Sequence, residues 1–365
     1  MNADMTNRSE NILYAYLPIT LAAFLFSPPL FSDQENNKEE FFKILSTKIP
    51  KSKNIIYISK NYGGTSTRKS KPTVTIKAMN DDGSENISII EGRSIYSIKI
   101  SPDKNKLLLI SPDHSPHKNY KDDWLNSHIW LYIEGKLKQL THGMVMDSDA
   151  IWSPSGDKIY FSRSKIFSDV VSGKLMAEET NIWVMNPDGS EIRQLTFSKN
   201  NIINTTPLPI KNSNKILFAT NRNKKWQMFI MDKDGSNQIF FIDNGMLGSW
   251  SPDGKLLAFM NSSPGDIYLA SRDGKLIRKL TKEGDVNFSP AWSPDGQYLT
   301  YSRINAMSLR SARSHKNTDT PRGFLLEEPY SDIWKLSINK KEAPKRLTYK
   351  GLNNNFPQWI TTHPQ

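Results

Sequence analysis

The sequence repeats a short segment, which we call a line, in which Ser-Pro-Asp-Gly is followed by alternating apolar and polar side chains. The line stands as AWSPDGQYLTYSR from 291, IWSPSGDKIYFSRS from 151 and SWSPDGKLLAFMNS from 249, with a weaker copy, KISPDKNKLLLISP, from 99. Ser-Pro-Asp-Gly suits a type I turn, because proline presets φ at the second position and aspartate can bond to nearby backbone. Alternation with a period of two is typical of a strand. Each copy therefore predicts a strand, a tight turn and a second strand.

A second kind of line follows each of these copies. It reads HIWLYIEGKLKQLT from 128, NIWVMNPDGSEIRQLT from 181, DIYLASRDGKLIRKLT from 266 and DIWKLSINKKEAPKRLT from 332, and all four end in Leu-Thr. These lines again predict two short strands around a turn. One unit is thus four antiparallel strands, and the chain holds six units when the degraded copies near 208 and 358 are included.

The two ends of the chain predict how the array closes. The last line, NFPQWITTHPQ from 355, supplies an innermost strand and stops, whereas NIIYIS from 54 and TVTIKAMNDDG from 73 supply later strands that no innermost strand precedes. Pairing of this C-terminal strand with the N-terminal strands completes a sixth four-stranded sheet. The sequence therefore predicts an all-β, six-bladed β-propeller, closed by pairing of the C-terminal innermost strand with the N-terminal strands. Closure also protects sheet edges.

The Trp-Ser-Pro-Asp-Gly and Ile-Trp/Tyr…Asp-Gly…Leu-Thr lines resemble the propeller repeats of the TolB-like family, which are also similar to the propellers of prolyl oligopeptidases. The resemblance covers residues 51–365, which we assign to the propeller domain. It implies a fold more than a function, because function is grafted on folds of this kind. The namesake of the family carries an α/β domain before its propeller, and we expect no such domain in this chain.

The N-terminal residues are uncharged and apolar between Ile12 and Ser32 and are followed by the acidic stretch DQENNKEE. The apolar core at 17–26 has the length of the hydrophobic region of a signal peptide. We predict a signal peptide or an uncleaved membrane anchor in 1–32 and a linker in 33–50, hence a periplasmic or otherwise exported protein. An anchor would attach the chain to a membrane. A buried apolar strand or helix packed on the propeller is the alternative.

Composition excludes some classes of function. The chain has no cysteine, which rules out structural disulfides and cysteine ligands or nucleophiles. Its formal charge of +11 could attract nucleic acid, anionic lipid or an acidic glycan. The basic residues are scattered, however, and neither a nucleic-acid-binding motif nor a continuous basic helix occurs. We therefore predict no nucleic-acid partner, and we expect a monomer.

The residues that recur in every copy have a structural interpretation. The repeated tryptophans occupy equivalent places, so we expect them to pack between neighbouring blades; they are Trp152, Trp250, Trp292 and Trp359. The Asp-Gly pairs could be mistaken for calcium ligands. DKDGSN from 232, however, has its glycine at the wrong offset for an EF-hand loop. Hairpin turns explain these pairs more simply.

Four insertions break the repetition: KNYGGTSTRKSKP from 60, SPDHSPHKNYKDDWLNS from 111, SKIFSDVVSGKLMAEET from 164 and RINAMSLRSARSHKNTDTPRGFLLEEP from 303. Each lies between the second and third strands of its blade. If the blade shared by both chain ends is counted as the first, the four belong to the sixth, first, second and third blades. Since antiparallel strands reverse direction each time, the sequence predicts a contiguous set of long loops on one face. Such loops commonly carry function.

The candidate binding residues are Arg68, Lys69, His114, His117, Trp124, His128, Arg303, Arg310 and Arg313; all lie in the insertions except His128, which opens the strand after the second-blade insertion. Imidazole and carboxylate can bind a metal, and the second-blade insertion also holds Asp113, Asp122 and Asp123. A solvated polar loop explains the same residues, and we predict no metal and no cofactor. The arginines of the sixth-blade insertion, next to Phe324 and several leucines, suit a carboxylate-bearing peptide or an acidic glycan. An amphipathic segment that packs back on the propeller is the alternative.

No catalytic signature accompanies these loops. Neither Gly-x-Ser-x-Gly nor His-Glu-x-x-His nor a phosphate-binding glycine loop occurs. We therefore predict a non-catalytic exported scaffold that binds a protein or peptide segment through its loop-bearing face. The alternative is a polysaccharide lyase or another carbohydrate-active propeller enzyme, since some TolB-like propellers are lyases whose channel uses histidine and arginine. Unsaturated product formed from acidic oligosaccharides would distinguish the two functions.

Overall fold

The computed structural model describes most of the chain. The described residues are 42–61, 73–92, 94–112, 126–168, 175–199, 201–262, 265–282, 284–305, 330–339, 342–349 and 353–360. They form 25 strands and, within these ranges, no helix.

The strands form six antiparallel sheets, each of which runs outwards from an innermost strand. In that order, blade 1 contains β25 (Asn353–Trp359), β2 (Ile55–Asn61), β3 (Thr73–Met79), β4 (Ile87–Gly92) and β1 (Phe42–Ile44). Blade 2 contains β5 (Ser97–Ile100), β6 (Lys106–Pro112), β7 (Ser127–Ile133) and β8 (Lys136–Gln139). Blade 3 contains β9 (Val145–Trp152), β10 (Ile159–Ser168), β11 (Leu175–Met185) and β12 (Arg193–Gln194).

The remaining blades follow in chain order. Blade 4 contains β13 (Asn204–Pro209), β14 (Lys215–Thr220), β15 (Gln227–Asp232) and β16 (Ile239–Asp243). Blade 5 contains β17 (Gly245–Trp250), β18 (Leu256–Asn261), β19 (Ile267–Ser271) and β20 (Leu276–Lys279). Blade 6 contains β21 (Val286–Trp292), β22 (Tyr298–Ile304), β23 (Ser331–Ser337) and β24 (Lys345–Arg346).

The innermost strands form a closed ring. Each contacts the innermost strand of the next blade, and β25 contacts both β21 and β5. The predicted six-bladed propeller is therefore confirmed, as is its closure. Strand β25 pairs antiparallel with β2, with Trp359 opposite Ile55 and Asn353 opposite Lys60.

The Ser-Pro-Asp-Gly line forms the turn between the first and second strands. In blade 6, Gly296 donates its backbone N–H to the carbonyl oxygen of Ser293 at 2.9 Å, which is the hydrogen bond of a β-turn. The hydroxyl of Ser293 accepts the backbone N–H of Tyr298 at 2.9 Å and donates to Asp295 at 2.5 Å. The aspartate thus stabilises the turn, as predicted.

The Leu-Thr ending has an equally specific role. In the four blades that carry it, the threonine hydroxyl accepts the backbone N–H of the third-strand isoleucine at 2.9–3.0 Å. In blade 6 the same hydroxyl also donates to the side chain that precedes this isoleucine, from Thr348 to Asp332 at 2.9 Å. The motif therefore joins the outermost strand to the third strand where backbone pairing ends.

The repeated tryptophans pack between blades, as predicted. Each belongs to an apolar cluster that includes residues of the preceding blade. Trp292, for example, packs with Ala258 and Ile267 and donates its indole N–H to the carbonyl oxygen of Ser249 at 2.9 Å. The apolar core of the propeller consequently lies between adjacent sheets.

Strand β1 is an addition that the sequence did not predict. It lies in the range 33–50, which we assigned to a linker, and pairs antiparallel with the outer strand β4. The ring of Phe42 meets the ring of Trp130 in blade 2 edge-on, with centroids 5.3 Å apart. The hydroxyl of Tyr132 donates to the carbonyl oxygen of Ser46. Blade 1 therefore has a fifth strand, and the residues around it pack across to blade 2.

Candidate binding face

The four insertions connect the second and third strands of blades 1, 2, 3 and 6. The blade 3 insertion, 164–180, is mostly strand, because β10 continues to Ser168 and β11 begins at Leu175; it therefore extends a hairpin, where the sequence predicted a long loop. The intervals 62–72, 113–125, 169–174 and 306–329 lie outside the described residues. Because successive strands of a blade are antiparallel, these connections all leave the propeller at one face, which we call the loop-bearing face. The Ser-Pro-Asp-Gly turns lie at the opposite, turn-bearing face.

Seven of the nine candidate binding residues fall in these intervals and stay predictions: Arg68, Lys69, His114, His117, Trp124, Arg310 and Arg313. The structure describes His128 and Arg303. Each lies near the end of its strand that meets the loop-bearing face, but the two residues belong to different blades.

His128 is fully buried at the start of the third strand of blade 2. It occupies the repeat position that Asn181, Asp266 and Asp332 occupy in other blades, next to the third-strand isoleucine. Its ring lies 6.5 Å from the ring of His142, which follows the Leu-Thr motif. His128 therefore belongs to the internal framework of the blade. The aligned third-strand lines already contained this signal.

Arg303 is held by groups of its own blade. Its guanidinium forms an ion pair with Asp285 and lies over the ring of Trp334, 4.4 Å from the centroid. Its side chain is 30% exposed, so part of it is accessible to a ligand. The charge, however, is largely matched within the blade.

Blade 3 repeats this arrangement in a more buried form, which we did not predict from the sequence. Arg163 donates to both carboxylate oxygens of Asp147, at 2.6 and 2.9 Å, and the carboxylate is fully buried. The guanidinium lies 5.1 Å from the ring centroid of Phe161 and 5.3 Å from that of Trp183. The signal was present, because Arg163 and Arg303 stand at the same offset after their Ser-Pro turns.

Five innermost strands contain a bulge with a left-handed residue. At each of these places the register with the second strand shifts. The residues with positive φ are Asp149, Thr206, Leu247, Ser289 and Phe356, with φ between 48° and 54°. Such backbone is uncommon for non-glycine residues. Since innermost strands line the central channel of a propeller, the five bulges form an interrupted ring on its wall.

Asp149 is the charged member of this ring. Its carboxylate accepts hydrogen bonds from Thr205 of blade 4 at 2.7 Å and from Ser162 at 3.2 Å. Asp149 also acts electrostatically on Lys99, on the innermost strand of blade 2. Burial lowers the pKa of Lys99, and the charge of Asp149 opposes this shift. Blades 2, 3 and 4 thus place paired polar groups on one sector of the channel wall, where polar groups of a ligand could be bound.

A separate cavity of about 580 Å³ opens on the turn-bearing face between blades 3 and 4. Lys158, Arg193 and Lys233 line it together with apolar atoms of Tyr160 and Ile192. Lys158 donates to Asn186 at 2.5 Å and to Glu191 at 3.3 Å, so its charge is also partly matched. No pattern that we identified in the sequence predicts this cavity.

The described residues contain neither a metal cluster nor a membrane-spanning helix. Among them, no three His, Cys, Asp or Glu side chains are grouped so that they could hold a metal ion. No helix long and apolar enough to cross a membrane occurs in that part of the chain either. With His128 buried and Arg303 paired, the described residues provide no support for the lyase alternative.

The sequence matches a family model described as PD40, TolB beta propeller domain, over residues 167–312. The Tol-Pal system protein TolB of Alcanivorax borkumensis is 30% identical over 143 residues, which are 36% of this chain and 32% of that protein. An uncharacterized peptidase, YuxL of Bacillus subtilis, is 25% identical over 187 residues, 50% of this chain and 26% of that one. The chain thus spans about a third or less of the length of these two relatives.

Solved structures agree in fold. TolB from Acinetobacter baumannii superposes with a TM-score of 0.57 at 16% identity, covering 85% of this chain and 67% of that one. A putative TolB from Agrobacterium tumefaciens gives a TM-score of 0.53 at 14% identity, covering 81% and 88%. The repeats and the closed ring of six blades identify the chain as a six-bladed β-propeller, and these matches show that its repeats are similar to those of TolB.

Proposed function

We propose that the protein is an exported, non-catalytic scaffold that binds a protein or peptide segment across its loop-bearing face. The observation that carries the proposal is the placement of the insertions. They belong to consecutive blades, 6, 1, 2 and 3. Blades 6, 1 and 2 join the second and third strands through 26, 11 and 14 residues, whereas blades 4 and 5 use six and five. Blade 3 uses six residues as well, but its insertion extends both strands, β10 and β11, to 10 and 11 residues. Such a set of loops offers a contiguous surface to one partner.

The charges near this face favour an acidic partner. The insertions carry Arg68, Lys69, Arg310 and Arg313, and the formal charge of the chain is +11. Arginine suits carboxylates, because its planar guanidinium can donate two parallel hydrogen bonds. Charges at the rim of an interface act mainly on the encounter rate and on salt dependence. The ligand that fits best is therefore a protein segment with exposed Asp and Glu, and an acidic glycan is the second class.

A protein partner also agrees with the relatives. Several of the similar proteins are named for the Tol-Pal system, which is a property of those proteins. The chain covers only 32% and 40% of two of these relatives, so the proposal concerns a binding role for the propeller only.

Export rests on the uncharged segment between Ile12 and Ser32, which lies outside the described residues. Cell fractionation followed by sequencing of the mature N-terminus tests it. We expect the protein outside the cytosol, without its first residues if the segment is cleaved and with them if it is an anchor. A cytosolic protein that keeps Met1 would contradict export.

Binding is tested by quantitative affinity capture with matched variants. The double variant Arg310→Ala/Arg313→Ala should lose the captured partner at physiological salt, while its melting temperature stays that of the wild type. The control is Lys255→Ala/Lys275→Ala, which removes the same charge from turns at the opposite face, where both lysines are exposed. If both variants lose the partner equally, net charge and not the loop-bearing face governs binding, and the proposal fails.

A further inference from the structure

The outermost strands of the blades differ in the residues that protect their unpaired edge. An unpaired strand edge can pair with another strand, and proteins prevent this with Lys, Arg, short strands or a covering segment. Strands β8, β12, β20 and β24 read KLKQ, RQ, LIRK and KR, so each carries a basic residue. The other two outermost strands of the four-stranded blade plan, β4 and β16, read ISIIEG and IFFID and have none.

Blades 1 and 4 also share a backbone feature. In both, an isoleucine replaces the threonine of the Leu-Thr motif, and the ladder between the third and outermost strands continues through it. Ile90 pairs with Ile76, and Ile242 pairs with Met228. Both ladders then shift register at the next pair. An acidic residue follows each isoleucine, Glu91 in β4 and Asp243 in β16.

The edge of β4 is occupied by a strand of the same chain. Strand β1, with the sequence FKI, lies antiparallel to it, with Lys43 opposite Glu91 and Ile44 opposite Ile90. The backbone continues this docking, since Leu45 donates its N–H to the carbonyl oxygen of Ile89 at 2.9 Å. Blade 1 therefore provides a template for what fits an outer strand of this kind.

The edge of β16 is open in the part of the chain that the structure describes, because β16 is the last strand of its sheet there. Its apolar side chains Ile239 and Phe240 are 59% and 53% exposed. Asp243 accepts hydrogen bonds from Lys225 at 2.9 Å and Gln227 at 2.8 Å and remains 47% exposed. A strand added to this edge would cover the apolar side chains and could place a cation opposite the carboxylate.

We propose that the outer edge of blade 4 is a second docking site, which accepts an extended segment of a partner protein by strand addition. By the register of β1 on β4, the segment runs antiparallel to β16 and has an apolar–basic–apolar pattern, with Lys or Arg opposite Asp243. Backbone hydrogen bonds would supply the affinity and the alternating side chains the specificity. This site lies on the rim of the propeller and is independent of the loop-bearing face.

A peptide tests the proposal directly. The probe is a fluorescein-labelled FFKILST, the sequence of residues 41–47, titrated against the full chain by fluorescence anisotropy. We expect saturable binding that Asp243→Lys weakens about tenfold, since like charges then face each other. The peptide FFEILST should show the reverse preference and bind the Asp243→Lys variant better than the wild type.

Two controls identify the site. Glu191→Lys changes the net charge equally at an exposed, ion-paired carboxylate of blade 3 and should leave binding unchanged. Glu91→Lys would weaken binding only if the peptide exchanged with β1 on blade 1. The proposal is overturned if the peptide does not bind, if Glu91→Lys weakens binding and Asp243→Lys does not, or if sedimentation shows a dimer that the peptide cannot dissociate, because a second copy would then occupy the edge.

Discussion

The indole N–H of Trp359 donates to the carbonyl oxygen of Ala291 at 3.2 Å, across the boundary between the last strand of the chain and blade 6. The carbonyl oxygen of Trp359 accepts the ammonium of Lys104 in blade 2 at 3.1 Å. One residue of β25 therefore contacts the blades on both sides, while its own strand pairs with β2. Closure of the ring depends on this strand more than on any outer strand.

Deletion of residues 353–365 should destabilise the whole propeller. Blade 1 loses its innermost strand, and blades 2 and 6 lose the contacts with Lys104 and Ala291. We expect the melting temperature in calorimetry to fall by more than about 10 °C, or the cooperative transition to disappear. Deletion of 361–365 alone is the control and should have little effect. If the longer deletion melted like the full chain, the ring would not depend on its closure.

The buried ion pair of blade 3 should be sensitive to loss of one partner. In Asp147→Ala the guanidinium of Arg163 keeps its buried position without its carboxylate, and we expect the free energy of unfolding in urea to fall by about 3–5 kcal/mol. The double variant Asp147→Ala/Arg163→Met removes both charges and should recover much of this loss. A double variant no more stable than the single one would show that packing, and not the unmatched charge, governs this site.

The Leu-Thr motif gives a prediction about one hydroxyl. In Thr348→Val the backbone N–H of Ile333 and the carboxylate of Asp332 lose their buried partner. Leaving a buried donor unsatisfied costs about 1–3 kcal/mol, so the free energy of unfolding should fall by that amount. Thr348→Ser keeps the hydroxyl and should stay closer to the wild type in the same denaturation experiment. Equal losses in both variants would assign the effect to the methyl group.

Acid should weaken the turns of the outer strands. The Ser190 hydroxyl and backbone N–H lower the pKa of Asp188 below its ordinary value of 3.8, and Ser236 does the same for Asp234. A depressed pKa adds stability that is complete above the unfolded pKa and is lost as pH falls through the folded one. Melting temperatures measured from pH 6 down to pH 2 should therefore drop mainly below about pH 4. Asp188→Asn/Asp234→Asn should make that drop smaller, and an unchanged profile would contradict the assignment.

The repeated lines predicted the fold because the residue types at each position favour the local structure that forms there. The serine, aspartate and glycine around 293–296 form the turn that their order predicts, and Trp292 packs where its periodic recurrence indicated. The orphan strand at the C-terminus predicted closure for the same reason. Strand β1 was missed because three residues, FKI, show no periodicity, and only the apolar edge of β4 explains their pairing.

The candidate site was harder to predict than the fold. His128 looked like a ligand because it follows a loop rich in His and Asp, although the third-strand lines aligned it with Asn181 and Asp266. The bulges of the innermost strands could not be read from sequence, because their left-handed residues include Leu247 and Phe356, which share no chemistry with Asp149 or Ser289. The positions of these left-handed residues depend on how the blades pack around the channel, which is a tertiary effect that the local sequence pattern does not encode.

The most direct measurement of the proposed binding face is site-specific photo-cross-linking from the two faces of one blade. A benzoylphenylalanine replaces Tyr330, exposed just before β23 on the loop-bearing face, or Gln297, in the turn after β21 on the opposite face. Both proteins are irradiated in an extract of the producing cells, and adducts are identified by mass spectrometry. We expect a specific protein adduct from position 330 and none from position 297. The same adduct from both positions, or an adduct from position 297 alone, would contradict the assignment of the binding face.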